Sequence, residues 1–505
     1  MIESKALFAL LASAALAGCA TTSAARGGFD LSALPKVAEV DERYQSYNIE
    51  MVEVTGGRFW APYGGAKGEL YRMRPPLDLS ATRIRSLAKP LGPVYIRVSG
   101  TWANSTYVPL EGEKIEGIPH GFNQVLTRDM WRGVIAFAKA VDARIVTSFP
   151  ASAGTRAPDG SWQPDQAQRL LDLTRDAGGS IYGAELFNEP SVPPFGGFPK
   201  DYRAADFARD FLIFRDWARK AAPGMKLTGP GGASEGTMLK HTPENAARGF
   251  LGSEDLIKDN AGSLDIFSYH HYGGISVRCG SSATGTKETA LSPEWLDITI
   301  ADHAFYAALR DNYEPGKPIW LNETAQAACG GSPWAATFLD SFRYLNQLGA
   351  LAQKGVQVVA HNTLAASDYA LVDYDTMMPR PNYWAAVLWR RTMGHVVLAS
   401  PPSPSPELRL YAHCLAGAKG GVGLLAINTG SNTQTLDLRG KGEVWTMTAE
   451  PLDSKTVSIN GKTPDVDAEG KLNGLQGLPL NAATAIPARS ITFVALRGAA
   501  NPACR

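Results

Sequence analysis

The feature that most constrains the fold of this chain is a regular alternation of apolar strands and amphipathic helices from residue 47 to residue 381. Strand-like runs such as residues 94–98 (VYIRV) alternate with stretches of helical spacing, for example residues 128–141 and 202–221. The alternation repeats about eight times, which is typical of parallel strands joined by helical crossovers. We therefore expect residues 47–381 to form a (β/α)8 barrel, with residues 47–54 (YNIEMVEV) as its first strand.

The pattern changes after a last helical stretch at residues 382–393. Five short alternating stretches separated by Gly, Asn and Pro then follow, at residues 407–414, 421–427, 433–438, 443–448 and 490–496. Such spacing predicts a β-sandwich over residues 382–505. A chain of 505 residues also exceeds the size at which one core usually keeps growing. Residues 29–46 are an N-terminal segment and a candidate strand of the sandwich.

The N-terminal residues have the pattern of a targeting segment. Lys5 precedes an apolar run at residues 6–17, which is too short to span a bilayer as a mature helix. The run ends in Leu-Ala-Gly-Cys19, which resembles a bacterial lipobox and predicts lipidation of Cys19, with ordinary signal-peptide cleavage as the alternative. Residues 1–28 would then be signal peptide and tether. We expect an exported protein of the bacterial cell envelope that meets the membrane only through a lipid anchor.

Charge and cysteine content narrow the partners. The chain has 49 basic and 49 acidic residues, so no excess charge indicates nucleic acid or an anionic membrane surface. Besides Cys19 there are four cysteines, an even number that fits disulfides in an exported protein, in any of three connectivities. No CxxC or Cys/His spacing typical of a metal site occurs, so we expect neither a metal nor an organic cofactor.

Two strand-like stretches end in Asn-Glu. Residues 181–190 (IYGAELFNEP) end in Asn188, Glu189 and Pro190, and residues 318–324 (PIWLNET) carry Glu323 after an apolar run. Pro190 cannot donate to a strand ladder and biases the preceding residue away from helical geometry. In a parallel barrel the carboxyl ends of the strands meet at one face. Both carboxylates should therefore lie at that face, whereas Glu185, inside the strand, should make a structural hydrogen bond.

Two carboxylates at one barrel face are what glycoside hydrolysis requires. Glu189 would be the general acid/base and Glu323 the nucleophile of a retaining enzyme, about 5–5.5 Å apart, against about 6.5–9.5 Å in an inverting enzyme. Asn188 would hold the 2-hydroxyl group of the sugar. Tyr272, which ends the strand-like residues 264–272 (LDIFSYHHY), would hydrogen-bond Glu323 and keep it ionised.

Over nearly all of the mature chain, these motifs resemble glycoside hydrolase family 79, the heparanase and β-glucuronidase family. The resemblance rests on an ordered set of segments: residues 95–104 (YIRVSGTWAN), 187–190 (FNEP), 265–272 (DIFSYHHY), 319–331 (IWLNETAQAACGG) and 367–373 (SDYALVD). The FNEP segment alone recurs in many barrel glycosidases, and the ordered set is specific to this family. Residues 411–414 (YAHC) and Cys504 resemble a cysteine pair that joins the sandwich to the chain end, which leaves Cys279 for Cys329.

The resemblance also implies roles for individual residues. Backbone N–H groups of Gly330 and Gly331 and the hydroxyl of Tyr369 would bind the carboxylate of a uronic acid. The remaining residues would surround the sugar next to the cleaved bond: Glu50, which stands where the family more often has Asp, Thr101, Asn104, and His270 or His271.

Three functions follow, in order of preference. The first is an exo-acting β-glucuronidase that removes β-linked glucuronic acid from oligosaccharides or glucuronides. The second is an endo-β-glucuronidase, heparanase- or hyaluronidase-like, which would show an open cleft with basic rims. The third is a surface lipoprotein that binds glycans without cleaving them.

Overall fold

The computed structural model describes residues 30–65, 68–279, 285–467 and 469–505. The strands of its first part are β1 (Lys36–Glu39), β2 (Gln45–Glu50), β3 (Gly57–Trp60), β4 (Tyr71–Arg74), β5 (Val94–Ser99), β6 (Thr106–Tyr107), β7 (Gln124–Val125), β8 (Ala143–Ser148), β9 (Ile181–Glu185), β10 (Lys226–Ala233), β11 (Ile266–Tyr272), β12 (Ile319–Ala325) and β13 (Val358–His361).

The remaining strands are β14 (Met393–Leu398), β15 (Leu408–Leu415), β16 (Val422–Asn428), β17 (Gln434–Asp437), β18 (Gly442–Thr448), β19 (Ser458–Ile459), β20 (Asp465–Val466), β21 (Leu472–Asn473), β22 (Leu478–Pro479), β23 (Ala483–Ile486) and β24 (Ser490–Leu496). The helices are α1 (Met51–Thr55), α2 (Thr82–Ala88), α3 (Arg128–Ala140), α4 (Asp165–Asp176), α5 (Ala204–Ala221), α6 (Pro243–Ala247), α7 (Ser253–Ile257), α8 (Pro293–Tyr313), α9 (Phe338–Gln353) and α10 (Pro381–Thr392).

Eight parallel strands close into a barrel in the order β2, β5, β8, β9, β10, β11, β12 and β13, and β13 pairs back with β2. Each strand lies beside the next barrel strand along the chain, as expected for successive right-handed crossovers. Helix α3 shows how the outer layer forms. Thr127 caps its N-terminus by accepting a hydrogen bond from the Met130 N–H, and its buried face includes Trp131 and Phe137. The predicted barrel is confirmed.

The predicted first strand is wrong in its second half. Strand β2 ends at Glu50, and residues 51–55 form the short helix α1. The Glu53 carboxylate accepts a 2.7 Å hydrogen bond from the Glu50 N–H, a capping-box contact that starts the helix. The alternating pattern of residues 47–54 did not reveal this contact, because it depends on the backbone turn at Glu50.

The C-terminal part is an antiparallel sheet with a smaller second layer. Its main sheet runs β1, β14, β15, β16, β24, β18 and β19, with β22 beside β18. The pair β17–β23 covers one face through Leu436 and Ile486, both buried in a core shared with Leu424 and Val494. Strand β1 pairs with β14, so the N-terminal segment contributes an edge strand. The predicted β-sandwich is confirmed.

The other face of this sheet packs against the barrel. Tyr411 on β15 donates a 2.7 Å hydrogen bond to Asn346 on α9, and its ring lies so close to Gly349 that a Cβ there would stand 2.3 Å away. A glycine inside helix α9 therefore allows the close approach of sheet and helix. Helix α10 contacts both α9 and strands β14 and β24. The division into residues 1–28, 29–46, 47–381 and 382–505 stays a prediction, with α10 on the boundary.

The described part of the chain contains two disulfides, Cys279–Cys329 and Cys414–Cys504. Both pairings implied by the resemblance are confirmed. Cys414–Cys504 ties the chain end to β15, and Cys279–Cys329 joins the loop after β11 to the loop after β12. None of the helices in the described ranges is long and apolar enough to cross a membrane. The lipobox prediction at Cys19 lies outside the described residues.

Candidate active site

Both strand-end glutamates lie at the carboxyl face of the barrel. Strand β9 ends at Glu185, so residues 186–188 leave the strand before Glu189, which has a left-handed backbone with φ 48°. Positive φ at a residue other than glycine is uncommon and tends to occur at functional sites. Glu323 lies within β12, where the pairing with β13 shifts between Leu321 and Thr324. Such bulges re-aim side chains next to active sites.

The two carboxylates are close enough to act on one bond. A carboxylate oxygen of Glu189, a ring nitrogen of His270 and a carboxylate oxygen of Glu323 all lie within 4.8 Å of one another. The Glu323 side chain is 6% exposed and the Glu189 side chain 18%. The geometry therefore provides one buried and one more accessible carboxylate in the same site.

Arg97 on β5 holds the floor of the site. Its guanidinium donates a 2.7 Å hydrogen bond to Oε2 of Glu323 and another of 2.8 Å to Oε2 of Glu185. A third hydrogen bond, 2.7 Å long, goes to Oδ1 of Asn188. Arg97 and Glu185 are almost fully buried, so each compensates charge that would otherwise be costly to bury. Glu185 makes the structural contact expected of it, and one planar cation links three barrel strands.

The predicted hydrogen bond from Tyr272 to Glu323 is present. Its hydroxyl donates a 2.6 Å hydrogen bond to Oε1 of Glu323, and Asn362 Nδ2 donates to the same hydroxyl at 3.0 Å. Burial would raise the pKa of Glu323, but the charges of His270 and Arg97 and the hydrogen bonds from Tyr272 and Arg97 lower it below its usual range. Glu323 is therefore held as a carboxylate.

His270 bridges the two carboxylates. Its Nδ1 lies 3.0 Å from Oε1 of Glu189 and 3.7 Å from Oε2 of Glu323, and Arg97 Nη2 lies 3.3 Å from its Nε2. Because arginine can only donate, Nε2 accepts and the proton of a neutral ring is on Nδ1, directed at Glu189. Burial would lower the pKa of His270, but Glu323 and Glu189 raise it.

Glu50 is a third carboxyl group beside Glu323. It is 5% exposed, accepts a 3.0 Å hydrogen bond from Asn362 Nδ2, and packs against the backbone of Gly100. Burial, and then the charge of Glu323, raise its pKa well above the usual range. Glu50 is thus held in its neutral form while Glu323 is ionised.

A metal ion is disfavoured at the cluster Glu189, His270 and Glu323, the group of potential ligands that lies within the described ranges. Its atoms are spaced as metal ligands would be, yet Arg97 contacts both Glu323 and His270 at hydrogen-bonding distance. A guanidinium in that position would repel a cation.

Asn188 and Asn104 come together beside Glu189. Asn104 Nδ2 donates to the backbone oxygens of Asn188 and Gly196, at 2.9 and 3.0 Å, and Asn104 Oδ1 accepts from the Asn188 N–H at 2.9 Å. Asn104 is therefore a brace of the loop that carries Glu189. Thr101 begins a 3-10 turn after β5 and is partly exposed at the same face.

The structure separates the two histidines. Side chains alternate along β11, so His270 faces the barrel interior while His271 faces helix α8, where its Nδ1 lies 2.7 Å from Asp302. His271 is buried and outside the site. As a correction to the sequence-based assignment, the structure provides no route from His271 to a sugar.

The residues expected to bind a uronate lie on the loops that follow β12, the strand of Glu323, and β13. Tyr369 is buried near Tyr272, with 6.4 Å between the ring centroids. Its hydroxyl accepts a 3.3 Å hydrogen bond from Asn362, which leaves its own proton to donate. Gly331 donates its N–H to the Ala327 carbonyl at 3.1 Å, so that group is engaged within the protein. Gly330 packs directly against Trp60.

Sequence reasoning missed Arg97, Asn362 and the hairpin β3–β4. One signal for Arg97 was available: a lone arginine inside the apolar run VYIRV needs a buried counterion, and Glu185 stands alone in a second run. Asn362 and the hairpin carry no comparable signal, because their roles depend on contacts between distant loops.

A closed parallel barrel, paired carboxylates at its carboxyl face and an appended sandwich define the class of barrel glycoside hydrolases. No family model matches the chain. The sequence is 30% identical over 406 residues to heparanase from Mus musculus, covering 76% of this chain and 71% of that protein. It is 26% identical over 490 residues to heparanase from Bos taurus, covering 84% and 86%.

Among solved structures, a 4-O-α-L-rhamnosyl-β-D-glucuronidase from Fusarium oxysporum shares the fold, with a TM-score of 0.65 at 14% identity over 92% of this chain and 99% of that one. At that identity the match concerns the fold alone. The level and extent of identity to mouse heparanase place the sequence in a family: this chain belongs to the heparanase family, glycoside hydrolase family 79.

Proposed function

We propose that the protein is a retaining, exo-acting β-glucuronidase. The observation that carries the proposal is the short distance between Glu189 and Glu323 together with the groups that hold Glu323 ionised. A nucleophile must be a carboxylate, and Arg97 and Tyr272 stabilise that form. The fold and the family relationship agree with this chemistry.

The proposed reaction uses the two glutamates in turn. Glu189 protonates the glycosidic oxygen while Glu323 attacks the anomeric carbon and forms a glycosyl-enzyme ester. The leaving group departs with that proton. Glu189, now a carboxylate, removes a proton from a water molecule as the water oxygen attacks the anomeric carbon. The bond to Glu323 breaks, which releases the sugar and returns Glu323 to its carboxylate form. His270 orients Glu189 from below by donating from Nδ1.

The carboxylate spacing supports retention of configuration. Retaining enzymes have carboxyl groups about 5–5.5 Å apart, whereas inverting enzymes need about 6.5–9.5 Å to admit water between them. Oxygens of Glu189 and Glu323 lie within 4.8 Å. This close approach of two carboxylate oxygens supports the narrower spacing of a retaining enzyme.

Uncharged donors would select the uronate. We assign the substrate carboxylate to the Tyr369 hydroxyl, which Asn362 and Tyr272 link to Glu323, and to the Gly330 N–H on the loop after β12. Glu50, in its neutral form, would meet a sugar hydroxyl from the opposite side, and Asn188 the 2-hydroxyl. The Gly331 N–H does not take part, since it is donated to the Ala327 carbonyl.

A strap joins several loops at the catalytic face of the barrel. We define the strap as residues 60–65, at the end of β3. Tyr63 packs under the Arg278 guanidinium at 3.8 Å, its hydroxyl lies 2.5 Å from Ser276, and its N–H donates to Asp368 at 3.2 Å. Trp60 packs against Gly330. The loop after β2 is thus joined to the loops after β11, β12 and β13.

This closure supports exo action. The strap lies over the loops around Glu323, while the loops that carry Glu189 face it from the other side of the barrel. Glu323 is the less exposed of the two carboxylates. A single terminal sugar would bind on the Glu323 side, with its leaving group directed outwards past Glu189. An endo-acting enzyme would need an open path on both sides.

The arginines near the start of the barrel do not favour a sulfated polymer. Arg74 pairs with Asp375 and lies over the ring of Tyr374, and Arg83 donates to the carbonyls of Val466 and Asp467. Arg72 pairs with Glu69. These cations serve internal contacts, so the predicted basic rim of an endo-acting heparanase-like enzyme has no support from them.

The test is hydrolysis of p-nitrophenyl β-D-glucuronide by wild type, Glu323→Gln and the exposed control Glu111→Gln. Wild type and the control should release p-nitrophenol, and Glu323→Gln should lose at least about a thousandfold in kcat/KM. NMR of the first-formed sugar should show the β-anomer. Shortening of hyaluronan or heparan sulfate fragments without release of the monosaccharide would replace the proposal with an endo-acting enzyme.

If wild type binds glucuronides and hydrolyses none of them, the remaining function is that of a protein that binds glycans without cleaving them.

We also propose export and lipid attachment at Cys19. Labelled palmitate should be incorporated into the full chain in bacteria and be lost in Cys19→Ala. Unlabelled but exported protein would instead indicate ordinary signal cleavage.

A further inference from the structure

Exposed large apolar side chains concentrate around the catalytic face. We call this set the apolar rim: Leu70, Met73, Leu110, Ile118, Phe195, Val277 and Met378. All of them lie in segments that follow barrel strands at their carboxyl ends, whereas Val37, Leu212 and Leu478 are exposed elsewhere in the described chain. Single exposed apolar residues are ordinary, but a concentration at one face marks a binding surface.

Phe195 is the aromatic member of the rim and is 63% exposed. It lies six positions after Glu189, in a loop that is fixed at several points. Asn104 binds the carbonyls of Asn188 and Gly196, and the Leu251 N–H donates to the Ser191 carbonyl at 2.9 Å. An exposed phenyl ring is thus held in the loop of the proposed general acid, where the Val192 N–H donates to the Glu189 carbonyl and the Phe195 N–H to the Val192 carbonyl.

The ring of Phe195 has a firm backing. The buried ring of Phe250 contacts the Phe195 ring edge-to-face, with 5.6 Å between the ring centroids. The Arg248 guanidinium lies over the Phe250 ring, 5.0 Å from its centroid. Pro193 and Pro194 restrict the turn before Phe195. Because the ring is already ordered, binding a partner against it costs little side-chain entropy.

The position of the ring identifies its partner. A general acid protonates the bridging oxygen, so the leaving group departs on the side of Glu189, and Phe195 lies two hydrogen-bonded turns further along the same loop. We propose that Phe195, backed by Phe250, is the platform for the leaving group, and that the substrates are glucuronides of aromatic or other flat apolar alcohols. This inference rests on the proposed function. Arg248 is occupied by Phe250 and Asn245, so this platform offers stacking rather than a site for sulfate.

The test compares kcat/KM for p-nitrophenyl and methyl β-D-glucuronide in wild type, Phe195→Ala and Phe195→Trp. The p-nitrophenyl to methyl ratio should fall about tenfold in Phe195→Ala and recover in Phe195→Trp, because stacking on an aromatic face is lost and then restored. Leu478→Ala, which removes an exposed apolar side chain from the sheet domain, should leave the ratio at its wild-type value.

Equal losses for both substrates would indicate a structural role of Phe195 and overturn the inference. So would a larger loss for a glucuronyl disaccharide than for the aryl glucuronide, since the platform would then serve a sugar. The proposed function fails separately, when wild type hydrolyses neither glucuronide. Calorimetry then measures the affinity of p-nitrophenyl β-D-glucuronide for Glu323→Gln and for the same variant that also carries Phe195→Ala. Equal affinities of the two proteins would overturn the platform as well.

Discussion

Arg97 Nη1 lies 2.7 Å from Oε2 of Glu323, and this buried ion pair sets the charge of the proposed nucleophile. The same guanidinium contacts Glu185 and Asn188, so it ties the second, fourth and seventh barrel strands together at the floor of the site. The position of Glu323 therefore depends on Arg97, and its ionised form depends on Arg97 together with His270 and Tyr272.

Arg97→Lys should weaken this control. A lysine cannot make the forked contacts of the guanidinium, so its ion pair with Glu323 would be weaker. The pKa of Glu323 would therefore rise. Since the nucleophile acts as a carboxylate, the acidic limb of kcat/KM against pH should move to higher pH. The control Arg343→Lys alters a buried pair with Asp340 on helix α9 and should leave the limb in place. An unmoved limb in Arg97→Lys would contradict this role.

Tyr272→Phe should lower kcat by about 10- to 100-fold, because hydrogen bonds to charged groups contribute about 1.5–3 kcal/mol. The variant removes the 2.6 Å hydrogen bond to Glu323 and the 3.0 Å hydrogen bond that Asn362 donates to the same hydroxyl. Tyr269→Phe is a matched control on the same strand, since the Tyr269 hydroxyl is buried with no hydrogen-bond partner among the described residues. Steady-state kinetics and melting curves of both variants test the prediction, and similar kcat values would refute it.

The two disulfides should separate activity from stability. They close loops with sequence separations of 50 and 90 residues, for which the chain-entropy model gives about 4–5 kcal/mol each. Replacing Cys279 and Cys329 by Ser should also raise KM. Arg278 and Gly330, which contact the strap, are the direct neighbours of these cysteines in the sequence, so losing the disulfide would loosen the strap. Replacing Cys414 and Cys504 should lower only the melting temperature. Equal KM values in the two double variants would show that the strap does not shape the site.

Glu53 should make stability depend on pH. Burial raises its pKa to about 7, above the 4.5 of an ordinary glutamate. Its contribution is complete below about pH 4.5 and is lost as pH rises to 7, because the unfolded chain ionises while the folded chain keeps the proton. The loss is at most about 3 kcal/mol. The melting temperature of wild type relative to Glu53→Gln should therefore fall between pH 5 and 7.5, and a constant difference would contradict the pKa.

Some residues of the site could be predicted from the sequence because their signal lies within a single short segment. Each strand end carries its own signal, so Glu323 and Tyr272 could be placed at the barrel face, and their contact followed from it. The alternation along residues 265–272 did not show which histidine faces inwards. His270 and His271 are chemically identical neighbours, and only the contact of β11 with α8 separates them.

By itself the sequence determined the barrel, the sandwich, the two strand-end glutamates and, through family resemblance, the disulfide pairs. These depend on periodicity and motifs within single segments. Tertiary structure alone decided that Arg97 joins Glu185 to Glu323, that the strap reaches three other loops, and that Phe195 stands exposed in the loop after Glu189. Closing a barrel brings strand ends together that are far apart along the chain, and contacts at such separations leave no local pattern in the residues that make them.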